Sequence, residues 1–166
     1  SARDVAQHVL GIIGADGASW QSVEYAGSYI SRLSIQQRMI FSLLTTEMGG
    51  MCGLVDPDEV TLKFMEGRSR QPFEPVYKDP DAQYVKVLEI DVSTLEPQVA
   101  VPPQPSYTKP LADVIGKRIQ QAYVGGCTGG GRRSGVERAD RRGCSARRRR
   151  SAGVATHRGR HAAVRD

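Results

Sequence analysis

Long apolar runs are missing from this chain of 166 residues. No uninterrupted stretch nears the ~18 residues that a membrane-crossing helix needs. Cysteine is scarce: there are three, and an odd number in a chain this long argues against a disulfide framework. No two of them stand at Cys-x-x-Cys spacing, so the chain carries no metal-site signature of its own. The N-terminus lacks the charged-then-apolar pattern of a secretory signal. A reducing, cytoplasmic setting is the expectation. Internal repeats are absent as well.

The most telling absences are regional. Residues 132–166 contain no Leu, Ile, Met, Phe, Tyr, Trp or Lys, and their branched aliphatics are Val136, Val154 and Val164. They hold 12 Arg against 3 acids, a net charge of +9, whereas residues 1–131 hold 11 basic and 15 acidic side chains, net −4. The pI of about 9.3 therefore describes the C-terminal segment and not the body. A segment so poor in apolar area cannot offset its ordering entropy, and disorder is expected there. Arg147-Arg148-Arg149-Arg150 could neutralise phosphates. With no aromatics to stack on bases, it would serve as a non-specific arm.

The body reads as alternating helices and strands. Ser1 and Asp4 have capping-box spacing, and Val5, Val9, Ile12 and Ile13 share a helical face that Gly14 ends. Ser22-Val23-Glu24-Tyr25 is a short strand-like piece, and residues 28–33 suit a short helix. Ser34 with Gln37 opens another helix, with Ile35, Met39, Ile40, Leu43, Leu44 and Met48 as its apolar stripe and Gly49-Gly50 as its stop. Asp56-Pro57-Asp58-Glu59 starts a further helix, with Pro57 in the first helical position. Residues 68–82 are loop-like. Residues 84–92 predict a strand from Val85, Val87 and Ile90. Residues 95–101 suit an extended piece, 102–110 a linker, and 119–124 a last short strand. The fold class is α/β.

Few residues stand out chemically. Cys127 lies in Gly125-Gly126-Cys127-Thr128-Gly129-Gly130, where bare backbone could approach a bulky group and donate N–H bonds to sulfur. The plain alternative is a glycine turn with an incidental cysteine. Glu24 sits between Val23 and Tyr25 and suits acid–base work if desolvated; a solvated strand carboxylate is the simpler reading. Glu47 stands near a helix end, where an acid is disfavoured. Cys52 reads as a small core residue and His8 as solvated. His157 and His161 lie four apart in a segment with no reason to be helical.

Taken in order, these pieces resemble an internal stretch of the aconitase superfamily. They are most like its two-subunit type, the large subunits of 3-isopropylmalate dehydratase and homoaconitase. The resemblance rests on Ile12-Ile13-Gly14-Ala15-Asp16-Gly17-Ala18, Val23-Glu24-Tyr25-Ala26-Gly27, Leu33-Ser34 with Arg38-Met39, and Thr46-Glu47-Met48-Gly49-Gly50. Further along, it rests on Gly53-Leu54-Val55-Asp56-Pro57-Asp58-Glu59, Glu66-Gly67-Arg68, Leu95-Glu96-Pro97-Gln98-Val99-Ala100 and Gly126-Cys127-Thr128. It implies an aconitase-type α/β/α layered domain over residues 1–131. It also implies a hydro-lyase that dehydrates and rehydrates a hydroxy-polycarboxylate with a [4Fe–4S] cluster as Lewis acid. Within that frame Glu24 matches the active-site glutamate and Cys127 the first of three cluster cysteines. A small subunit or swivelling domain would supply the catalytic base.

Three departures accompany the likeness. The downstream Cys-x-x-Cys pair, the upstream Asp-His segment and the base-bearing domain have no counterpart here. The expectation is therefore a partial domain, inactive and without a stably bound cluster by itself. After the cysteine the family continues with an arginine and an acidic, leucine-bearing helix, whereas this chain turns to Gly131-Arg132-Arg133 and the arginine-rich segment. A one-nucleotide slip in a GC-rich gene, between Gly129 and Arg133, accounts for twelve Arg and no Lys. The alternative is a small α/β module with a basic, nucleic-acid-binding tail.

Overall fold

The computed structural model describes residues 1–119. In chain order its helices and strands are α1 (Ala2–Ile13), β1 (Ser22–Tyr25), α2 (Ser28–Ser31), α3 (Ile35–Leu44), β2 (Cys52–Val55), α4 (Glu59–Met65), β3 (Gln98–Ala100) and β4 (Thr108–Pro110). β1 and β2 pair in parallel, with Val23 opposite Gly53 and Tyr25 opposite Val55. β3 and β4 form a separate antiparallel hairpin. This mixture agrees with the expected α/β class. The strand expected at 119–124 and the basic segment from 132 lie outside the described residues, apart from Ile119, which is exposed coil.

Helix α1 starts on the expected capping box, the Ser1 amino group donating to Asp4 Oδ2 at 3.1 Å. Its buried face is Val5, Ala6, Val9 and Leu10, while Ile12 is half exposed. The expected stripe is thus rotated toward the smaller residues. The reason lies across the chain. Gln98 N donates to Asp4 Oδ1 at 2.7 Å. Gln7 Nε2 donates to Thr108 Oγ1 at 2.8 Å, and Thr108 Oγ1 donates to Gln7 O at 2.9 Å. A Cβ on Gly11 would come within 2.9 Å of Thr108 Cβ. The hairpin fixes which face of α1 turns inward. Residues 102–110, expected as a linker, accordingly contain β4 and the buried Ser106.

Helix α3 keeps the predicted cap: Ser34 N donates to Gln37 Oε1 at 2.9 Å. Its stripe departs from expectation. Ile35, Leu44 and Met48 are buried, but so are Phe41 and Arg38, while Met39 is 51% and Leu43 39% exposed. Phe41 faces inward because Tyr25 of β1 meets it edge-on, ring centroids 5.2 Å apart at 64°. Below that pair, the Tyr25 and Thr45 hydroxyls share a hydrogen bond of 2.6 Å, and Thr45 Oγ1 donates to Phe41 O at 3.0 Å. Burial pushes the Tyr25 phenol well above its ordinary pKa.

Arg38 is buried because every arm of its guanidinium finds an acceptor. Nε donates to Leu33 O (3.0 Å) and Nη2 to Ser31 O (3.0 Å). Nη1 and Nη2 grip Asp58 Oδ1 and Oδ2 at 2.8 and 2.6 Å. Asp58 also caps α4, accepting from Thr61 N at 3.0 Å. The cap is therefore Asp58, and Pro57 precedes it rather than opening the helix. One carboxylate joins the starts of two helices.

Two further expectations are corrected. Cys52 is exposed on β2, its Sγ donating to Ser22 Oγ at 3.2 Å, and is no core residue. Residues 84–92 form no strand. Val85 and Val87 project into solvent, while Ile90 and Val92 lean on the core. The alternating pattern has no partner strand there and anchors an irregular strap instead.

Two stability outcomes follow. A Cβ at Gly53 would lie 2.8 Å from Ser42 Cα, so Gly53→Ala should destabilise the full chain by about 1–3 kcal/mol in urea unfolding. An unchanged midpoint would show that β2 and α3 are not held this closely. For Asp58, the guanidinium of Arg38 holds the carboxyl down at about 2. Its contribution is complete above the unfolded value of roughly 3.9 and lost as pH falls toward 2. Asp58→Asn should cost about 2 kcal/mol at pH 7, below the value for a fully buried pair because Asp58 is partly open to solvent. That gap between wild type and variant should narrow in unfolding curves taken from pH 4 to pH 2.

Candidate functional site

Strand alternation sends Val23 and Tyr25 toward the core and Glu24 to the other face of β1. That face is not left to water. Glu24 is only 4% exposed. Tyr84, sixty residues later on the irregular strap, donates its phenolic hydrogen to Glu24 Oε2 at 3.0 Å. Composition and spacing alone favour a solvated strand carboxylate at this position, and the structure corrects that. A buried carboxylate bonded to a phenol can exchange protons with a bound molecule while being screened from bulk solvent.

The carboxyl ends of β1 and β2 open into a hollow of about 220 Å³ beside Tyr25, Gly27, Arg38, Asp58 and Lys78. In parallel α/β sheets such strand ends are where ligands collect. Its two cations are each matched by an acid: Arg38 grips Asp58, and Lys78 Nζ lies 3.4 Å from Asp56 Oδ2. Glu24 is not among the residues that line it.

The remaining candidates are not brought together. His8 is half-buried rather than solvated and borders a separate hollow of about 490 Å³ with Asp91 and Glu96. Burial lowers its pKa, and a hydrogen bond with the Gln98 side chain opposes that shift. Glu47 is exposed on the 3-10 turn Thr45–Met48 that follows α3. Cys127, Cys144, His157 and His161 lie outside the described residues.

Tyr84 is the residue the sequence did not flag. A lone tyrosine sixty positions from its carboxylate leaves no local signal; only the strap's path joins them. As for a metal group, no cluster of three His, Cys, Asp or Glu side chains able to hold an ion occurs among the described residues. Cys52 is turned to Ser22, away from any such set. The described residues therefore do not fit an iron–sulfur cluster by themselves. No helix among them is long and apolar enough to cross a membrane.

Comparison with known proteins shows the family. The aconitase family (aconitate hydratase) matches residues 1–124. A 3-isopropylmalate dehydratase large subunit of Halothermothrix orenii is 44% identical over 130 residues, covering 78% of this chain and 31% of the relative. A probable 3-isopropylmalate dehydratase large subunit of Methanothermobacter thermautotrophicus is 43% identical over 129 residues, with the same coverage. A probable methanogen homoaconitase large subunit of Methanosarcina mazei is 42% identical over 129 residues, covering 78% of this chain and 33% of the relative. The chain thus spans about a third of the length of these curated relatives. With residues 1–124 matched and identities of 42–44% to these proteins, the chain belongs to the aconitase family.

Proposed function

We propose that residues 1–131 are one part of a hydro-lyase domain that dehydrates and rehydrates a hydroxy-polycarboxylate, with Glu24 as its proton-carrying carboxyl group. The observation that supports this is the burial of Glu24 against Tyr84 inside the family-matching stretch. In the forward direction the Glu24 carboxyl gives its proton to the leaving hydroxyl. The C–O bond breaks, its electron pair stays on oxygen, and water departs. A base on a small subunit or swivelling domain takes the proton from the neighbouring carbon, and that C–H electron pair becomes the double bond. In reverse, the Glu24 carboxylate takes a proton from the adding water. The partner is proposed because the relatives are named as large subunits.

In the assembled protein Cys127 would be the one ligand this chain contributes to a [4Fe–4S] cluster, which would supply Lewis acidity. Under the same proposal, the arginine-rich residues 132–166 are read in a shifted frame. Sequencing the coding DNA through and beyond the Cys127 codon tests this. A one-base correction near Gly130 should restore an acidic, leucine-bearing helix and a later Cys-x-x-Cys. An intact frame with no such pair would overturn it.

Two assays test the chemistry. Residues 1–130 grafted into the Halothermothrix orenii large subunit, with its small subunit present, should support dehydration. In that graft Glu24→Gln should lower kcat by roughly 10²–10⁴-fold, as expected for loss of general acid–base catalysis. An unchanged kcat would remove Glu24 from the mechanism. The 166-residue chain alone, treated anaerobically with iron and sulfide, should show no stoichiometric cluster absorbance. A stable cluster lost on Cys127→Ala would show that this chain supplies more than one ligand.

A further inference from the structure

We propose that Tyr84 is the positioning residue for Glu24: its phenol fixes the carboxylate in one orientation, and the strap that carries it completes the site. The inference deepens the reading above, since it rests on Glu24 carrying the proton.

The geometry is specific. The Tyr84 hydroxyl lies 3.0 Å from Glu24 Oε2, at the long end of the O–H···O hydrogen-bond range. Glu24 is buried on a strand whose neighbouring side chains, Val23 and Tyr25, are locked in the core. Its backbone is therefore rigid. Three rotatable bonds still separate that backbone from the oriented carboxyl group, and a hydrogen bond from Tyr84 restricts this freedom. Tyr84 is itself half-buried, on a strap whose later residues lean on the core. Ile90, Val92 and Leu95 pack onto the same core, while Val85 and Val87, nearer to Tyr84, are left in solvent. A strap needing only an anchor could use phenylalanine or leucine at position 84. A hydroxyl brought to a buried carboxylate is costly to desolvate unless it bonds, which makes the oxygen the informative part of the residue.

The first test uses the full 166-residue chain. Tyr84→Phe keeps the ring and deletes the donor. In carbon-13 spectra the Glu24 side-chain carboxyl resonance should shift, and its two γ-protons should lose their separate, single-rotamer couplings. Amide resonances of α1 and α3 should hold their positions. Should Tyr84→Phe fail to fold, the same bond is read from its other end: the Cζ resonance of Tyr84, labelled with carbon-13, should move in Glu24→Gln. Unmoved Glu24 resonances in a folded Tyr84→Phe chain, or an unmoved Tyr84 Cζ in Glu24→Gln, would overturn the proposal.

The second test separates this inference from the reading it rests on. In the assembled graft, Tyr84→Phe should lower kcat roughly ten- to a hundredfold with KM unchanged. It should add nothing in a Glu24→Gln background. If Glu24→Gln leaves kcat intact, the proton-carrier reading and the positioning role fall together. If Glu24→Gln is severe but Tyr84→Phe leaves kcat unmoved, or acts equally in both backgrounds, the positioning role alone falls.

Discussion

The edge-on contact of Tyr25 with Phe41, closed beneath by the Tyr25–Thr45 hydroxyl bond, is the joint on which the described structure turns. It binds the carboxyl end of the parallel pair to the third helix. A buried phenol needs a partner for its oxygen, and Thr45 provides one at the point where the helix tightens into its 3-10 end. With Tyr25 pinned, β1 can neither slide nor flip, because a one-residue slip would exchange its two faces. Gly53 then becomes a necessity: β2 runs so close to α3 that a side chain at that position meets backbone. The direction of Glu24 is settled by the same joint, since it is the residue between two immobilised neighbours.

A second constraint sits at the helix starts. Asp58 receives both the fork of Arg38 and the Thr61 N–H in the first turn of α4. This lets a guanidinium be buried without an uncompensated charge. It also closes one wall of the hollow at the strand ends with a neutral pair instead of a free cation.

How much of this was legible depends on the range of the interaction. The caps at Ser1–Asp4 and Ser34–Gln37 are three-residue relationships and stand in the structure as the residues predict. The buried faces of α1 and α3 are set by Thr108 and Tyr25, distant in the chain, so apolar spacing alone chose Ile12, Met39 and Leu43 over Ala6 and Phe41. Arg38 shows the same failure from the polar side: nothing local reveals that the Asp58 carboxylate, twenty positions on, awaits it. β2 escaped notice because Gly53 dilutes its strand character, and the 84–92 alternation misled because no strand lies beside it. The family resemblance singled out Glu24, but neither its burial nor its bond to Tyr84 could be read without the strap's path.

The tether between α1 and the β3–β4 hairpin carries a consequence for biosynthesis. Gln7 and Thr108 are 101 positions apart and bond reciprocally, and Asp4 waits for Gln98. The first helix therefore emerges from the ribosome long before its partners exist. At roughly 5–20 residues per second, it spends on the order of 5–20 seconds with Val5, Val9 and Leu10 unprotected by the hairpin. Early-made structure must idle until late-made structure arrives.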